Sequence, residues 1–211
     1  MPVALRWLAV SVIAVSPLLA DEILPSDGFA DLRLAYCFTQ KQADVTVAGV
    51  TTTDDWRRSN RASGGVVLSP GLGTFGGWLF GVRAVATFSS GDPAGQSTTY
   101  DTLTAQFSIG YGYAFCRGFQ LEVMPYIGLG AASLKQDFAA AGEVTDTAFA
   151  TQYGVDVNAV ATIAHGVQVG VSVGYEIAAS DHEVDVPSLG SVTSKIKQKS
   201  LTGALFIGGR F

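Results

Sequence analysis

Apolar and polar residues alternate with a period of two along most of the chain beyond residue 28. In residues 167–179, every odd position from Val167 to Ile177 is apolar or aromatic, whereas the even positions up to Glu176 carry glutamine, glycine, serine and glutamate. This period, with many β-branched residues, predicts strands rather than helices. Eight segments share it: 30–40, 60–69, 75–89, 101–115, 119–134, 147–163, 167–179 and 200–211. The predicted fold class is therefore all-β.

The connections between these segments alternate in length. Short turns at 70–73, 116–118 and 164–166 follow the second, fourth and sixth segments. Longer polar loops follow the others, at 41–59, 90–100, 135–146 and 180–199. An even number of long strands with short turns on one side is typical of transmembrane β-barrels, whose termini and short turns lie in the periplasm. We therefore predict an eight-stranded antiparallel up-and-down transmembrane β-barrel.

The two faces of the predicted strands differ in charge. The long apolar faces have no charged residue in mid-strand, as contact with lipid requires. Charges fall on the faces with small and polar residues: Arg33, Arg83, Glu122, Asp156, Glu176 and Arg210. An eight-stranded barrel has room only for its own side chains, so we expect these residues to pair as a plug in the lumen. Rearrangement of the pairs into a narrow pore for small ions is the alternative.

Aromatic residues gather at the ends of the apolar faces, as in the girdles where a barrel meets lipid headgroups. Beside the short turns lie Trp78, Tyr113, Phe115, Phe119 and Phe211. Beside the long loops lie Tyr36, Phe38, Phe88, Phe149, Tyr153 and Tyr175. A soluble barrel would instead turn its apolar residues inward.

The first twenty residues have the pattern of a secretory signal peptide. Arg6 precedes an apolar stretch, Pro17 interrupts it, and Ala20 stands before two acidic residues. We therefore predict a signal peptide at 1–20 and a barrel domain at 21–211, exported from the cytoplasm. An uncleaved anchor helix is the alternative, although the apolar run is short for one.

The composition of the chain limits the kinds of ligand and site that it can form. Hydrophobic residues make up 48% of the chain and charged residues 15%, with a net charge of −5, which excludes a broad nucleic-acid surface. Two histidines and two cysteines give little material for a metal site, and we expect no cofactor. Cys37 and Cys116 are predicted at opposite ends of the barrel, a separation that does not favour a disulfide. The alternatives are free thiols or a pairing that would change the predicted strand register.

Catalysis is not expected. Lipid-modifying barrels need a serine and histidine with an acid near the outer rim. Only His182 is predicted on that side, between Ser180, Asp181 and Glu183, where we expect it to be solvated in a loop. His165 is predicted in a short periplasmic turn. A lipid A-modifying hydrolase at the outer rim remains a distant alternative.

The predicted outer loops carry the candidates for binding. Loop one contains Trp56, Arg57 and Arg58 and then Arg61, a combination found at binding sites. Alternating valines earlier in the loop suggest that the barrel extends as a hairpin above the membrane. Three alternating lysines precede the last strand and are candidates for contact with lipopolysaccharide phosphates: Lys195, Lys197 and Lys199. Ordinary solvated loop charge is the favoured alternative for these loop residues.

The last strand, L-T-G-A-L-F-I-G-G-R-F, ends on an aromatic residue after alternating hydrophobics, with Leu205, Ile207 and Phe211 on one face. In this it resembles the small eight-stranded outer-membrane barrels of Gram-negative bacteria, of the OmpA, OmpX and opacity-protein type, without a periplasmic domain. The resemblance implies an outer-membrane location and a C-terminal signal read by the barrel-assembly machinery.

On this interpretation the protein is non-catalytic, with a role in envelope integrity or surface interaction. Its expected partners are outer-membrane lipid, lipopolysaccharide and a host or surface ligand bound through the loops. A narrow porin is the alternative function.

Overall fold

The computed structural model describes residues 28–47, 49–55, 58–72, 76–92, 97–116, 118–138, 142–163, 166–186 and 190–211. The predicted signal peptide, 1–20, lies outside these residues. Nine strands account for most of the described chain: β1 (Phe29–Val47), β2 (Val50–Asp55), β3 (Arg58–Ser69), β4 (Gly77–Gly91), β5 (Thr98–Cys116), β6 (Phe119–Phe138), β7 (Gly142–Thr162), β8 (Val167–Val186) and β9 (Gly190–Arg210). Among the described residues, no helix is long and apolar enough to cross a membrane.

Eight of these strands close into a ring. Neighbours from β3 to β9 pair antiparallel in chain order, β1 pairs with β3, and β1 also pairs with β9 from Asp31 opposite Arg210 to Val47 opposite Ser194. The backbones of Ala30 and Phe211 exchange two hydrogen bonds at the join. The predicted eight-stranded antiparallel up-and-down barrel is thus confirmed.

The two ends of the barrel differ. At one end, here called the base, lie the chain ends near Phe29 and Phe211 and the short turns at Gly118 and Gly166, whose φ values of 90° and 78° favour glycine. At the other end, here called the rim, are the hairpins that turn near Gly49, Gly142 and Gly190. The predicted topology puts the base in the periplasm and the rim outside.

The prediction of long polar loops at the rim is wrong for three of the four segments. Most of 41–59, 135–146 and 180–199 is strand, and β5 already begins at Thr98 within the predicted loop 90–100. β2 pairs with the upper part of β1, from Gln42 opposite Asp55 to Val47 opposite Val50, so the expected hairpin is present. Strands β6 to β9 have 20 or 21 residues each. At about 3.3 Å per residue and a tilt of about 40°, they span about 50 Å along the axis, twice the height of a lipid-facing band of about 25 Å.

Along each strand from base to rim, the same alternate positions keep facing the lumen, but the polarity of the inward and outward faces changes. In lower β1, Leu34 and Phe38 face outward with 59% and 64% of their surface exposed, and Arg33 faces the lumen. In upper β1, Ala43 and Val45 are buried inside, although they continue the parity of Arg33. The rim extension therefore has an apolar cluster inside, with buried polar side chains such as His182 and Gln136 beside it, and a polar exterior. The loop prediction is wrong because the outward residues, which are apolar in the strands lower down, are mostly polar here.

The lumen is filled in layers. A cluster at the base contains Phe29, Leu72, Leu79 and Met124. A second cluster fills the rim extension, here called the rim cluster, and contains Ala43, Val45, Tyr100, Ala132, Leu134, Ala150 and Ile196. The buried charged residues lie below the rim cluster, and the lowest of them, Asp31 and Arg210, lie beside the base cluster, where the Arg210 guanidinium is 3.8 Å from the centre of the Phe29 ring.

Candidate functional site

The lower part of the lumen holds an ion-pair network centred on Arg33. Its guanidinium contacts both carboxylate oxygens of Glu122, each at 2.6 Å, and Oδ2 of Asp31 at 2.8 Å. Arg210 donates to Asp31 from Nε at 2.8 Å and from Nη2 at 3.0 Å. Both carboxylates are fully buried, so these charge-assisted bonds replace their hydration.

A second network lies closer to the rim. Arg61 pairs with Glu176 at 2.8 Å and Arg83 pairs with Asp156 at 2.6 Å. The amide of Gln106 connects them, because its oxygen accepts hydrogen bonds from Arg83 at 2.6 Å and from Arg61 at 3.3 Å. The Tyr126 hydroxyl donates to Glu176 at 2.9 Å, and the Arg83 guanidinium lies 4.6 Å from the centre of the Tyr126 ring.

Both networks use residues that the sequence analysis did not place in the lumen. Asp31, which accepts from two arginines, was not singled out, although it shares the parity of Arg33. Arg61 was assigned to the first loop beside Trp56, and that placement is wrong, since its side chain is only 2% exposed and pairs with Glu176 in the lumen. Strand parity would have found both residues.

A cavity of about 80 Å³ lies between the two networks. Arg33, Arg61 and Arg83 line it together with Cys37 and Tyr126. The Nε atoms of Arg33 and Arg61 are buried and have no hydrogen-bond partner within the described residues.

His182 is buried inside the barrel and not exposed in a loop as predicted. It lies on β8, its side chain is 1% exposed, and it faces the lumen near the rim cluster, so the expectation of a solvated loop histidine is wrong. Its Nε2 lies 3.0 Å from the Ser180 hydroxyl and its Nδ1 lies 3.0 Å from Oδ2 of Asp146 on β7. The reason is that 180–186 continues β8, in which Ser180 and His182 share the inward parity of Glu176.

The outer surface carries the predicted aromatic residues. Ten of the eleven are 40% exposed or more: Tyr36, Phe38, Trp78, Phe88, Tyr113, Phe115, Phe149, Tyr153, Tyr175 and Phe211. The eleventh, Phe119, is half-buried, with its ring 6.1 Å from that of Phe115. Leu205 and Ile207 on the last strand are each 57% exposed on the same outer surface.

The candidates for surface binding have different positions. Lys195, Lys197 and Lys199 alternate on the outside of β9, directly above the outward Leu201. Lys199 lies 3.3 Å from Asp44 and Lys195 lies 3.8 Å from Asp181. Trp56 and Arg57 lie outside the described residues, as do the side chain of Arg58 and the whole of His165.

The two cysteines are free thiols. Cys37 is buried on the lumen side of β1, whereas Cys116 is exposed at the base end of β5. Across the described part of the chain, no group of histidine, cysteine and acidic residues is arranged to hold a metal ion.

Comparison with known proteins gives likeness of fold only. No protein-family model matches the chain, and no curated protein matches it in sequence. Among solved structures, it is similar to the outer membrane protein OprG from Pseudomonas aeruginosa, with 15% identity and a TM-score of 0.49 over 90% of this chain and 99% of that one. It is also similar to Ail, the attachment invasion locus protein of Yersinia pestis, with 13% identity and a TM-score of 0.45 over 88% and 99% of the chains. The outer membrane protease OmpT from Escherichia coli has 12% identity and a TM-score of 0.46 over 90% and 99%.

Proposed function

We propose that this protein works in the bacterial outer membrane as a sealed, non-catalytic scaffold that contributes to envelope integrity and holds its rim extension outside the cell for surface interaction. Its closed antiparallel ring, with an apolar outer band and a backbone paired within the ring, has the architecture of an outer-membrane β-barrel.

The filled lumen is the observation that carries the proposal. Four arginines pair with four carboxylates in the lumen, at distances of 2.6 to 2.8 Å for the closest contact of each pair. The rim cluster fills the lumen above these pairs, and the base cluster packs beside the lowest of them, where the Arg210 guanidinium lies 3.8 Å from the centre of the Phe29 ring. Moving an ion through would require breaking buried pairs, which leaves uncompensated charges in a medium of low dielectric constant.

Conductance in planar bilayers tests this proposal. We expect the purified protein to insert without discrete conductance steps, because both networks and the rim cluster obstruct the lumen. A gel shift on boiling, measured on the same sample, establishes that the barrel is folded. Reproducible unitary steps from the folded protein would contradict a sealed scaffold and favour the narrow porin.

Lipopolysaccharide is the partner we propose for the outer surface, through Lys195, Lys197 and Lys199. The row begins two residues above Leu201, at the level where acyl chains give way to headgroups, and an anionic surface attracts lysines at that depth. A host or surface ligand bound by the rim, and the barrel-assembly machinery acting on the strand that ends at Phe211, complete the proposed set of partners.

A further inference from the structure

The wall of the barrel forks near the rim, between β7 and β8. Within the described residues, their ladder runs from Thr162 opposite Gln168 up to Ala150 opposite Ser180. Beyond that level, β7 continues in a hairpin with β6 and β8 continues in a hairpin with β9. At this fork, the β6–β7 hairpin lies on one side and the β8–β9 hairpin on the other.

Side chains join the two hairpins just above the fork. Oδ2 of Asp146 on β7 accepts hydrogen bonds from Nδ1 of His182 at 3.0 Å and from the backbone N–H of Glu183 at 3.2 Å, both on β8. The opposite imidazole nitrogen of His182 contacts Ser180. Asp146 is partly exposed to solvent and His182 is buried, so these contacts bridge the fork from its surface to its interior.

The hydrogen bonds in this chain have a defined direction. A carboxylate only accepts, so Nδ1 of a neutral His182 carries the proton and Nε2 accepts from the Ser180 hydroxyl. The Ser180 hydrogen is thereby used, and the Tyr100 hydroxyl on β5 donates to Ser180 Oγ at 2.8 Å. Protonation of His182 turns Nε2 into a donor, which reverses the bond to Ser180 and places a full charge beside the rim cluster.

Burial lowers the pKa of His182 below its usual 6.5, and this effect outweighs the opposing hydrogen bond and charge of Asp146 and the charge of Asp181. The other groups around the imidazole add no negative charge inside the fork. Burial raises the pKa of Tyr100 to about 12, so its hydroxyl stays neutral, and Ser194 of β9, opposite His182, is uncharged. Asp181 pairs with Lys195 on the outer surface, and Glu183 also points outward. On β6, Leu134 lies opposite Asp146. A lowered pKa means that the opened rim binds the proton more readily. The closed fork is therefore fully stabilised above pH 6.5 and loses this contribution as the pH falls through the pKa of the closed form.

We propose that Asp146, His182 and Ser180 form an acid-sensitive latch that holds the two rim hairpins together. In mild acid the latch releases, the fork opens and the apolar interior of the rim meets solvent. This device goes beyond the sealed scaffold, since the ion-pair networks below the fork stay in place whether it is open or closed.

Hydrogen–deuterium exchange on the full chain in lipid nanodiscs tests the latch. Protection factors, which correct for the pH dependence of intrinsic exchange, are compared at about pH 7.5 and about pH 5. We expect peptides covering 142–149 and 181–186 to lose protection in acid, by at most about tenfold for each pH unit that separates the pKa of His182 in the closed and open forms. Peptides covering 123–129, deep in the barrel, serve as the internal reference and should not change.

The matched variant is His182→Gln, whose amide keeps a donor for Asp146 but does not titrate. It should show the same rim protection at both pH values, and a gel shift on boiling verifies its folding. Unchanged rim protection of the natural protein in acid, or an equal acid response of the glutamine variant, would overturn the latch.

A serine, histidine and aspartate in this order also occur in hydrolases. Burial of Ser180 and occupation of its oxygen by Tyr100 favour the latch. Labelling by a fluorophosphonate probe decides between the two roles. We expect no label on the folded protein, and a label that disappears in Ser180→Ala would assign a nucleophile and overturn the latch.

Discussion

Arg33 holds two buried carboxylates, Asp31 and Glu122, and is itself largely buried. Arg33→Ala removes a positive charge that compensates the buried carboxylates of Asp31 and Glu122. We therefore expect the free energy of unfolding to fall by about 3–5 kcal/mol. Reversible urea unfolding of the barrel in lipid vesicles measures this change.

Lys135 provides the control for Arg33. It pairs with Glu143 at 2.7 Å, yet both side chains are more than half exposed. Water already solvates both charges, so Lys135→Ala should leave the unfolding midpoint nearly unchanged. Equal losses in the two variants would contradict the assignment of the network as a buried, stabilising plug.

For single residues, the sequence predicts which charged side chains face the lumen but not which of them form pairs. Parity alone puts Arg33, Arg83, Glu122 and Asp156 inside the barrel, because a charge on the other face would meet lipid. It does not reveal which charges pair. Arg33 and Glu122 are 89 residues apart, and their contact depends on how far each strand is staggered against the next around the whole ring.

At the scale of strands, the alternation predicts which residues face outward but not where each strand ends. β9 begins at Gly190, ten residues before the predicted 200–211, and keeps its parity through Ile196 and Lys197. Above the lipid band, apolar residues appear at inward positions and the outward positions become polar, so an alternation with apolar residues outside no longer marks the strand. The long polar loops were predicted wrongly for this reason, and the prediction for His182 was wrong because it lies on β8 and not in a loop.

The lysine row on β9 gives a prediction at this scale. Replacing Lys195, Lys197 and Lys199 together by glutamine should weaken binding of purified lipopolysaccharide by about a hundredfold, because each lysine near an anionic surface contributes about 1 kcal/mol. Titration calorimetry or fluorescence at physiological salt measures the affinity, and raising the salt should reduce the difference.

Lys135→Gln serves as its control, since this outward lysine on β6 lies apart from the row. It should bind lipopolysaccharide as the natural protein does. If the triple variant bound as tightly as this control, the row would not be the lipopolysaccharide site.

At the scale of the whole molecule, closure of the ring explains why the two polarities coexist. Pairing of β1 with β9 leaves the lower wall without a free edge in hydrocarbon, so outward residues there can be entirely apolar. The even number of strands and the sorting of short turns to one end were enough to predict this closure. The fork between β7 and β8 was not predictable, because it depends on where a ladder ends and not on polarity.

Accessibility to a membrane-impermeant maleimide in intact cells tests the central claim, that an apolar lower wall lies in lipid while the rim stands outside. Single cysteines at Val173, in the outward apolar band, and at Thr193, on the outer face of the rim, are introduced after Cys37 and Cys116 are replaced by serine. The account predicts that Thr193→Cys is labelled on intact cells, and that Val173→Cys is labelled only after the barrel is unfolded. Rapid labelling of Val173→Cys in the folded protein, or no labelling of Thr193→Cys on intact cells, would contradict it.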